Sequence, residues 1–265
     1  YLYDGRTGEL ENRITDGSFV VRDIEFVDTQ NRTIYFSATG VEDDRDPYLR
    51  QLYRAPLDGG GLTRVTPEDA DHSVEFSPDG RYFVDTYFWG GEREHPTTVL
   101  RSADGEMIRT LERGSLDDLE ATGAELPERF SVKAADSETD LYGFLFRPSD
   151  FRPDEDYPIV EWVYPYPQTF WASPGISMFG DPLDHFLEAQ AVAELGFVVV
   201  MLDGRGTPGR SAAFHDASYG RLMSGRMQDH VAALRQLGKR HSFIDLDRVG
   251  VYGHSGGGEG TVRAM

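Results

Sequence analysis

The pentapeptide Gly253-His254-Ser255-Gly256-Gly257 restricts this chain more than any other stretch of it. A G-x-S-x-G run sits where a strand turns sharply into a helix, with the serine exposed at the apex in strained backbone. The residues two before and two after the serine must be small, because their side chains would collide across the turn. Both are glycine here, Gly253 and Gly257. A strand-like run, Arg248 to Tyr252, precedes the turn, and a helix start is predicted over Glu259 to Met265. A helix that begins behind Ser255 also aims backbone N–H groups at the place where an oxyanion develops. Glycine-rich loops produce the same string by chance, so the strand in front of it is what marks Ser255 as a candidate nucleophile.

The residues upstream supply the sheet that such an elbow needs. Asp140 to Phe151 and Asp156 to Pro167 each read as a strand running into a proline-containing loop. Asp181 to Gly196 has a proline in its first turn, helical apolar spacing and a terminal glycine. Phe197 to Gly206 opens on an unbroken apolar run, as in a strand buried on both faces. Gly225 to Arg240 is amphipathic, with Lys239 and Arg240 at its end. Strand, helix, strand, helix, strand predicts a mostly parallel sheet, the start of an α/β-hydrolase domain.

The first half follows a different pattern. Arg22 to Gly40 and His72 to Trp89 are pairs of strand-like runs about polar turns, and Thr97 to Leu111 is a third. Glu25-Phe26 returns as Glu75-Phe76 and Leu2-Tyr3 as Leu52-Tyr53, both at a spacing of 50 residues. Four short strands repeating near that period predict propeller blades; an ordinary antiparallel sheet with chance similarity is the alternative. The expected fold is therefore all-β propeller blades over residues 1–125, followed by an α/β-hydrolase domain over 126–265 that stops after the elbow. Most of the propeller is expected upstream of Tyr1.

Composition narrows the function. A net charge of −20, from 46 acidic against 26 basic residues, argues against nucleic acid and anionic membranes as partners. With 39% hydrophobic residues the chain can bury a core. It contains no cysteine, which excludes a disulfide framework, a thiolate zinc site and a cysteine nucleophile. No apolar run is long enough to span a membrane. No cofactor and no metal are implied. In this fold the triad acid and base follow the serine, and all seven histidines (His72, His95, His185, His215, His230, His241 and His254) precede it. They are assigned surface or supporting roles, and Asp203, Asp216 and Asp229 are likewise withheld from the triad.

Three blocks, 156-DYPIVEWVYPYPQ, 196-GFVVVMLDGRGTPGRSAAFHDASYG and 243-FIDLDRVGVYGHSGGG, resemble the prolyl oligopeptidase family of serine peptidases, and most of all its dipeptidyl peptidase IV-like branch. The order of a propeller before a catalytic domain fits as well. The resemblance implies that Ser255 is the nucleophile, that the Gly256 N–H enters the oxyanion hole, and that the Tyr164 hydroxyl is its second donor. Arg205 matches a structural arginine, an organiser of its loop, and His215-Asp216 matches a segment to which no chemistry is assigned. Two departures line the site: Gly256 stands where the branch often has an aromatic residue, and Pro165-Tyr166-Pro167 stands where Gly-Gly-Pro or Ala-Gly-Pro is common. The triad Asp and His are expected beyond Met265, and the paired glutamates that hold a substrate's free N-terminus before Tyr1. Independently of the resemblance, Tyr164 ends a buried strand, where side chains face the ligand crevice of an open α/β sheet; it either donates to developing negative charge or anchors a loop.

The reading is a piece of a serine peptidase acting on short peptides, with dipeptide release after Pro or Ala inherited from the branch. Another α/β-hydrolase (an acylaminoacyl-releasing peptidase, an oligopeptidase or an esterase) and a catalytically dead scaffold are the alternatives. The residues leave compartment open; a homodimeric, periplasmic or secreted parent is the expectation.

Overall fold

Short strands, some with alternating burial as in Thr97–Ser102, pair only antiparallel among the described residues of 1–115. In a computed structural model that describes residues 1–88, 95–123, 125–173, 183–220 and 227–265, this segment forms one of two units, the second starting at Leu116. Strand β1 (Leu2–Tyr3) pairs with β2 (Leu10–Asn12). Strands β3 (Val20–Asp28), β4 (Thr33–Thr39), β5 (Gln51–Pro56) and β6 (Thr63–Arg64) follow one another in a four-stranded sheet. So do β7 (Asp71–Phe76), β8 (Tyr82–Phe88), β9 (Thr97–Ser102) and β10 (Met107–Arg113).

The spacing of 50 residues is structural. Leu52-Tyr53 opens the hairpin β5–β6, and Leu2-Tyr3 opens β1–β2. The repeated Phe26 and Phe76 stack on each other at 5.4 Å, and Phe76 also meets Tyr35 and Phe83. Beside this apolar cluster lies a buried polar one. His72 Nδ1 is 2.8 Å from the Asp85 carboxylate, and Arg101 donates to both Asp85 (2.8 Å) and Glu68 (2.6 Å). Glu68, His72 and Asp85 are residue types that ligate metals. The Arg101 guanidinium already binds both carboxylates, which makes this an ion-pair network with its charges satisfied.

The second unit begins with α1 (Asp117–Ala121) and holds a five-stranded sheet. Its strands are β11 (Glu128–Lys133), β12 (Asp140–Phe146), β13 (Tyr157–Trp162), β14 (Val198–Asp203) and β15 (Ile244–Tyr252), in the spatial order β11-β12-β14-β13-β15. Helix α2 (Leu183–Ala193) links β13 to β14; α3 (Ala212–His215) and α4 (Met227–Arg240) lie between β14 and β15; α5 (Gly256–Ala264) follows β15. The expected Asp181, Pro182, Gly225 and Arg226 of the two helices, and Trp89 of the second hairpin, lie outside the described residues.

The sheet is less parallel than the alternation predicts. β13 runs parallel to β14 and β15, whereas β11–β12 and β12–β14 are antiparallel. The cause is connectivity: parallel neighbours need a crossover, and only the last three strands are joined through helices. β11 and β12 form a hairpin instead. All six residues of β14 are buried, and they alternate between two cores. Val198, Val200 and Leu202 pack with Ala233, Leu234 and Leu237 of α4. Val199 and Met201 pack with Phe186, Ala189 and Ala193 of α2. The two helices therefore cover opposite faces, which explains why this strand reads as continuous hydrophobe.

Candidate active site

Strands β13 and β15 are parallel neighbours in register, with Trp162 opposite Tyr252. The ladder continues one residue further, where the Val163 N–H donates to the Tyr252 carbonyl at 2.9 Å. Both chains thus leave the sheet at the same edge, and the residues that follow, Tyr164 and Ser255, emerge together at the carboxyl end.

Ser255 has φ 52° and ψ −115°. Positive φ costs a residue with a Cβ about 1–3 kcal/mol and persists only where the surroundings hold it. The hold is visible. A Cβ on Gly253 would lie 2.3 Å from the Val163 carbonyl oxygen and 2.7 Å from the Gly257 carbonyl carbon; one on Gly257 would lie 2.1 Å from the same Val163 oxygen. The two glycines thus wedge the turn between its own limbs and β13, and Ser255 is pushed outward to an exposed apex. Helix α5 starts at Gly256, three residues before the predicted start, with the Glu259 N–H donating to the Ser255 carbonyl at 3.2 Å. Gly256 therefore stands in the first helical turn, whose N–H groups point at solvent and any anion there.

The segment after β13 is stiff. Pro165 and Pro167 fix two backbone angles and restrict the tyrosines before them. Pro165 is buried against α5, 3.0 Å from where a Cβ on Gly260 would stand, and the Tyr166 N–H donates to the Tyr164 carbonyl at 3.0 Å. His215 Nε2 lies 3.0 Å from the Pro167 carbonyl oxygen, which ties this segment to α3. Tyr164 is half-buried among Trp162, Trp171 and Tyr166. Its hydroxyl accepts from Gln168 Nε2 at 3.0 Å, and its own proton has no acceptor among the described residues. The Tyr166 hydroxyl is bonded differently: it donates to the Glu259 carboxylate on α5. Burial and that bond push its pKa up to about 12.

Other residues singled out from sequence support loops. Arg205 donates through Nη2 and Nε to the two oxygens of Asp229, at 2.7 and 2.9 Å, and also reaches Asp136. It holds the loop after β14 to α4, as expected of an organiser. Of the seven histidines, His72 and His230 are buried, not at the surface, each against a carboxylate. His254 is exposed beside Ser255, and no histidine among the described residues is hydrogen-bonded to that serine.

Sequence reasoning missed a buried polar cluster beneath the site. His230 Nδ1 meets Glu161 of β13 at 2.5 Å. Burial disfavours the imidazolium, but the carboxylates around it, Glu161 first and then Asp229 and Asp203, together offset this, so the His230 pKa lies above its ordinary value. Asp203, at the end of β14, is fully buried and accepts from the Trp171 and Ala172 N–H groups. Burial pushes its pKa up to about 6 against those bonds. The available signal was Glu161 itself, an acid inside an otherwise apolar strand.

Residues 184–265 match the Prolyl oligopeptidase family, and residues 1–89 match the Dipeptidyl peptidase IV (DPP IV) N-terminal region. Over 251 residues, 90% of the chain, it is 30% identical to human dipeptidyl peptidase 8, covering 26% of that protein. It is 26% identical to venom dipeptidyl peptidase 4 of Vespa velutina over 97% of its length, covering 33% of the relative. The whole chain superposes on 35% of the crystal structure of Porphyromonas gingivalis dipeptidyl peptidase 4 with a TM-score of 0.78 and 25% identity. The chain thus spans a quarter to a third of the length of these relatives.

Proposed function

Because the chain belongs to the prolyl oligopeptidase family, on its dipeptidyl peptidase IV-like side, we propose that the protein carrying it is a serine peptidase that releases dipeptides after Pro or Ala. The observation that carries this reading is the backbone of Ser255: a serine at φ 52°, exposed between a strand and a helix, with no side chain on either flanking glycine. Nothing in the packing of a soluble sheet calls for that strain, whereas a nucleophile that must project into a crevice does.

In the proposed reaction the Ser255 hydroxyl adds to the scissile carbonyl carbon as a histidine takes its proton. The carbonyl oxygen becomes an oxyanion held by the Gly256 N–H and the Tyr164 O–H. Collapse expels the amine, which takes the proton back from the histidine, and leaves an acyl-enzyme. Water then repeats the sequence and frees the dipeptide. Strands β1 to β10 belong, in this reading, to blades of a propeller that limits entry to short peptides. The active protein would be a homodimer, and residues 1–125 and 126–265 would divide between propeller and hydrolase.

The test uses the full-length protein. A fluorophosphonate is expected to label it, and Ser255→Ala to abolish labelling. Gly-Pro and Ala-Pro arylamides with a free amine are expected to turn over faster than their N-acetylated forms. Equal or faster turnover of the blocked forms moves the assignment to an oligopeptidase or acylaminoacyl-releasing activity.

A further inference from the structure

Two residues beside the nucleophile, Tyr166 and Gly256, fit each other. A Cβ on Gly256 would lie 2.7 Å from Tyr166 Cδ2 and 2.9 Å from Cε2, closer than real side-chain atoms pack. The ring therefore lies against the bare backbone of Gly256. It cannot easily retreat. Pro165 and Pro167 stiffen its backbone, Tyr164 meets it edge-on at 6.1 Å, and its hydroxyl is tied to Glu259 one turn along α5. Glu259 is in turn 3.3 Å from Arg263 Nε. The ring is thus clamped at both ends, against the residue that follows Ser255.

We propose that Tyr166 is a specificity-determining residue. Its clamped ring forms the wall beside Ser255 against which the acyl side of the substrate packs, and it takes the space that a side chain at position 256 would otherwise fill. The inference rests on Ser255 being the nucleophile. Gly256 is then glycine because the aromatic surface comes from the neighbouring loop. A rigid, half-buried wall admits a flat or small side chain next to the attacked carbonyl and rejects a long branched one, and the phenol stays neutral because its proton is committed to Glu259.

A double-mutant cycle on the full-length protein tests this, with the rate of fluorophosphonate labelling as the readout because it needs no assumption about peptide preference. Gly256→Ala alone is expected to slow labelling by about tenfold or more, since one methyl group strikes the ring. In the Tyr166→Gly background the same methyl is expected to cost at least about threefold less than it costs alone. Tyr166→Gly is also expected to shift the ratio of Gly-Leu to Gly-Pro arylamide turnover toward leucine by about tenfold. Thermal melting of each variant separates a wall from a fold defect: the labelling losses should exceed anything that follows the melting temperature. Equal slowing by Gly256→Ala in both backgrounds, or an unchanged Leu/Pro ratio, overturns the proposal. Failure of the underlying peptidase reading looks different, because Ser255→Ala would then label as well as the wild type.

Discussion

Tyr164 and Tyr166 leave one short segment with opposite bonding, and that difference separates them as candidate oxyanion donors. Tyr166 spends its proton on Glu259, while Tyr164 accepts from Gln168 and keeps its own proton to give. Tyr164→Phe keeps the ring among Trp162, Trp171 and Tyr166 and removes only that proton. In the proposed reaction that proton meets the oxyanion most strongly in the transition state, so kcat is expected to fall about 10²–10³-fold with KM within about threefold. A kcat near wild type with a lowered melting temperature would make Tyr164 a loop anchor instead. Asp203 carries a second prediction at this scale. Burial raises its pKa to about 6, against 3.8 for an ordinary Asp, so the fold favours the protonated acid. Its contribution is fully present below about pH 4 and is lost as pH rises through 6. Asp203→Asn keeps an oxygen for the Trp171 and Ala172 amides and has no charge to bury. Comparing the midpoints of chemical unfolding at pH 4 and pH 6.5 should show the wild type losing a few kcal/mol relative to the variant. A constant difference across that range would rule out titration of Asp203 there.

The elbow is an element whose tolerance can be read glycine by glycine. A Cβ on Gly257 would stand 2.1 Å from the Val163 carbonyl oxygen, which is backbone and cannot swing away; on Gly258, one residue further, the nearest atom is at 3.4 Å. Gly257→Ala is expected to cost about 2–4 kcal/mol and to lower the melting temperature by several degrees, whereas Gly258→Ala is expected to be neutral or to stabilise α5 by up to about 1 kcal/mol. Equal effects of the two would mean that β15 and β13 do not pinch the turn. This element was legible in the sequence because its demand is local: small residues at fixed offsets, a strand before, a helix after. β14 was legible for the same reason, six apolar residues needing cover on both faces. β11 was not. It places only two apolar residues, Phe130 and Val132, on its inward face among Glu128, Arg129, Ser131 and Lys133, too short an alternation to stand out, and its pairing with β12 depends on the hairpin turn that follows. The wedge of Tyr166 against Gly256 was visible only as two separate departures from a family pattern, since residues 90 apart in sequence show no mutual fit until the sheet brings them together.

At the scale of the whole chain, what matters for chemistry is where the histidines are. Five rings are engaged: His72 with Asp85, His185 against Trp162 and Trp171, His215 on the Pro167 carbonyl, His230 with Glu161, and His241 against Phe243. His95 is exposed in the first unit, and His254 is exposed beside Ser255 with no hydrogen bond to it among the described residues. A serine hydroxyl without a proton acceptor is a poor nucleophile, and the oxyanion donors alone leave only a residual rate. Two outcomes follow for the same reaction. In the full-length protein His254→Ala should keep kcat/KM for a Gly-Pro arylamide within about tenfold, while Ser255→Ala should lose at least about 10⁴-fold. Residues 1–265 expressed alone, with circular dichroism verifying folded strands and helices, should turn over the same arylamide at least about 10⁴-fold more slowly than the full-length protein. Activity from residues 1–265 that matches the full-length rate and disappears in Ser255→Ala would mean that one of these seven histidines reaches the serine after all. Loss of that activity in His254→Ala would then identify it, and the order of acid and base after the nucleophile assumed for this fold would have to be given up for this chain.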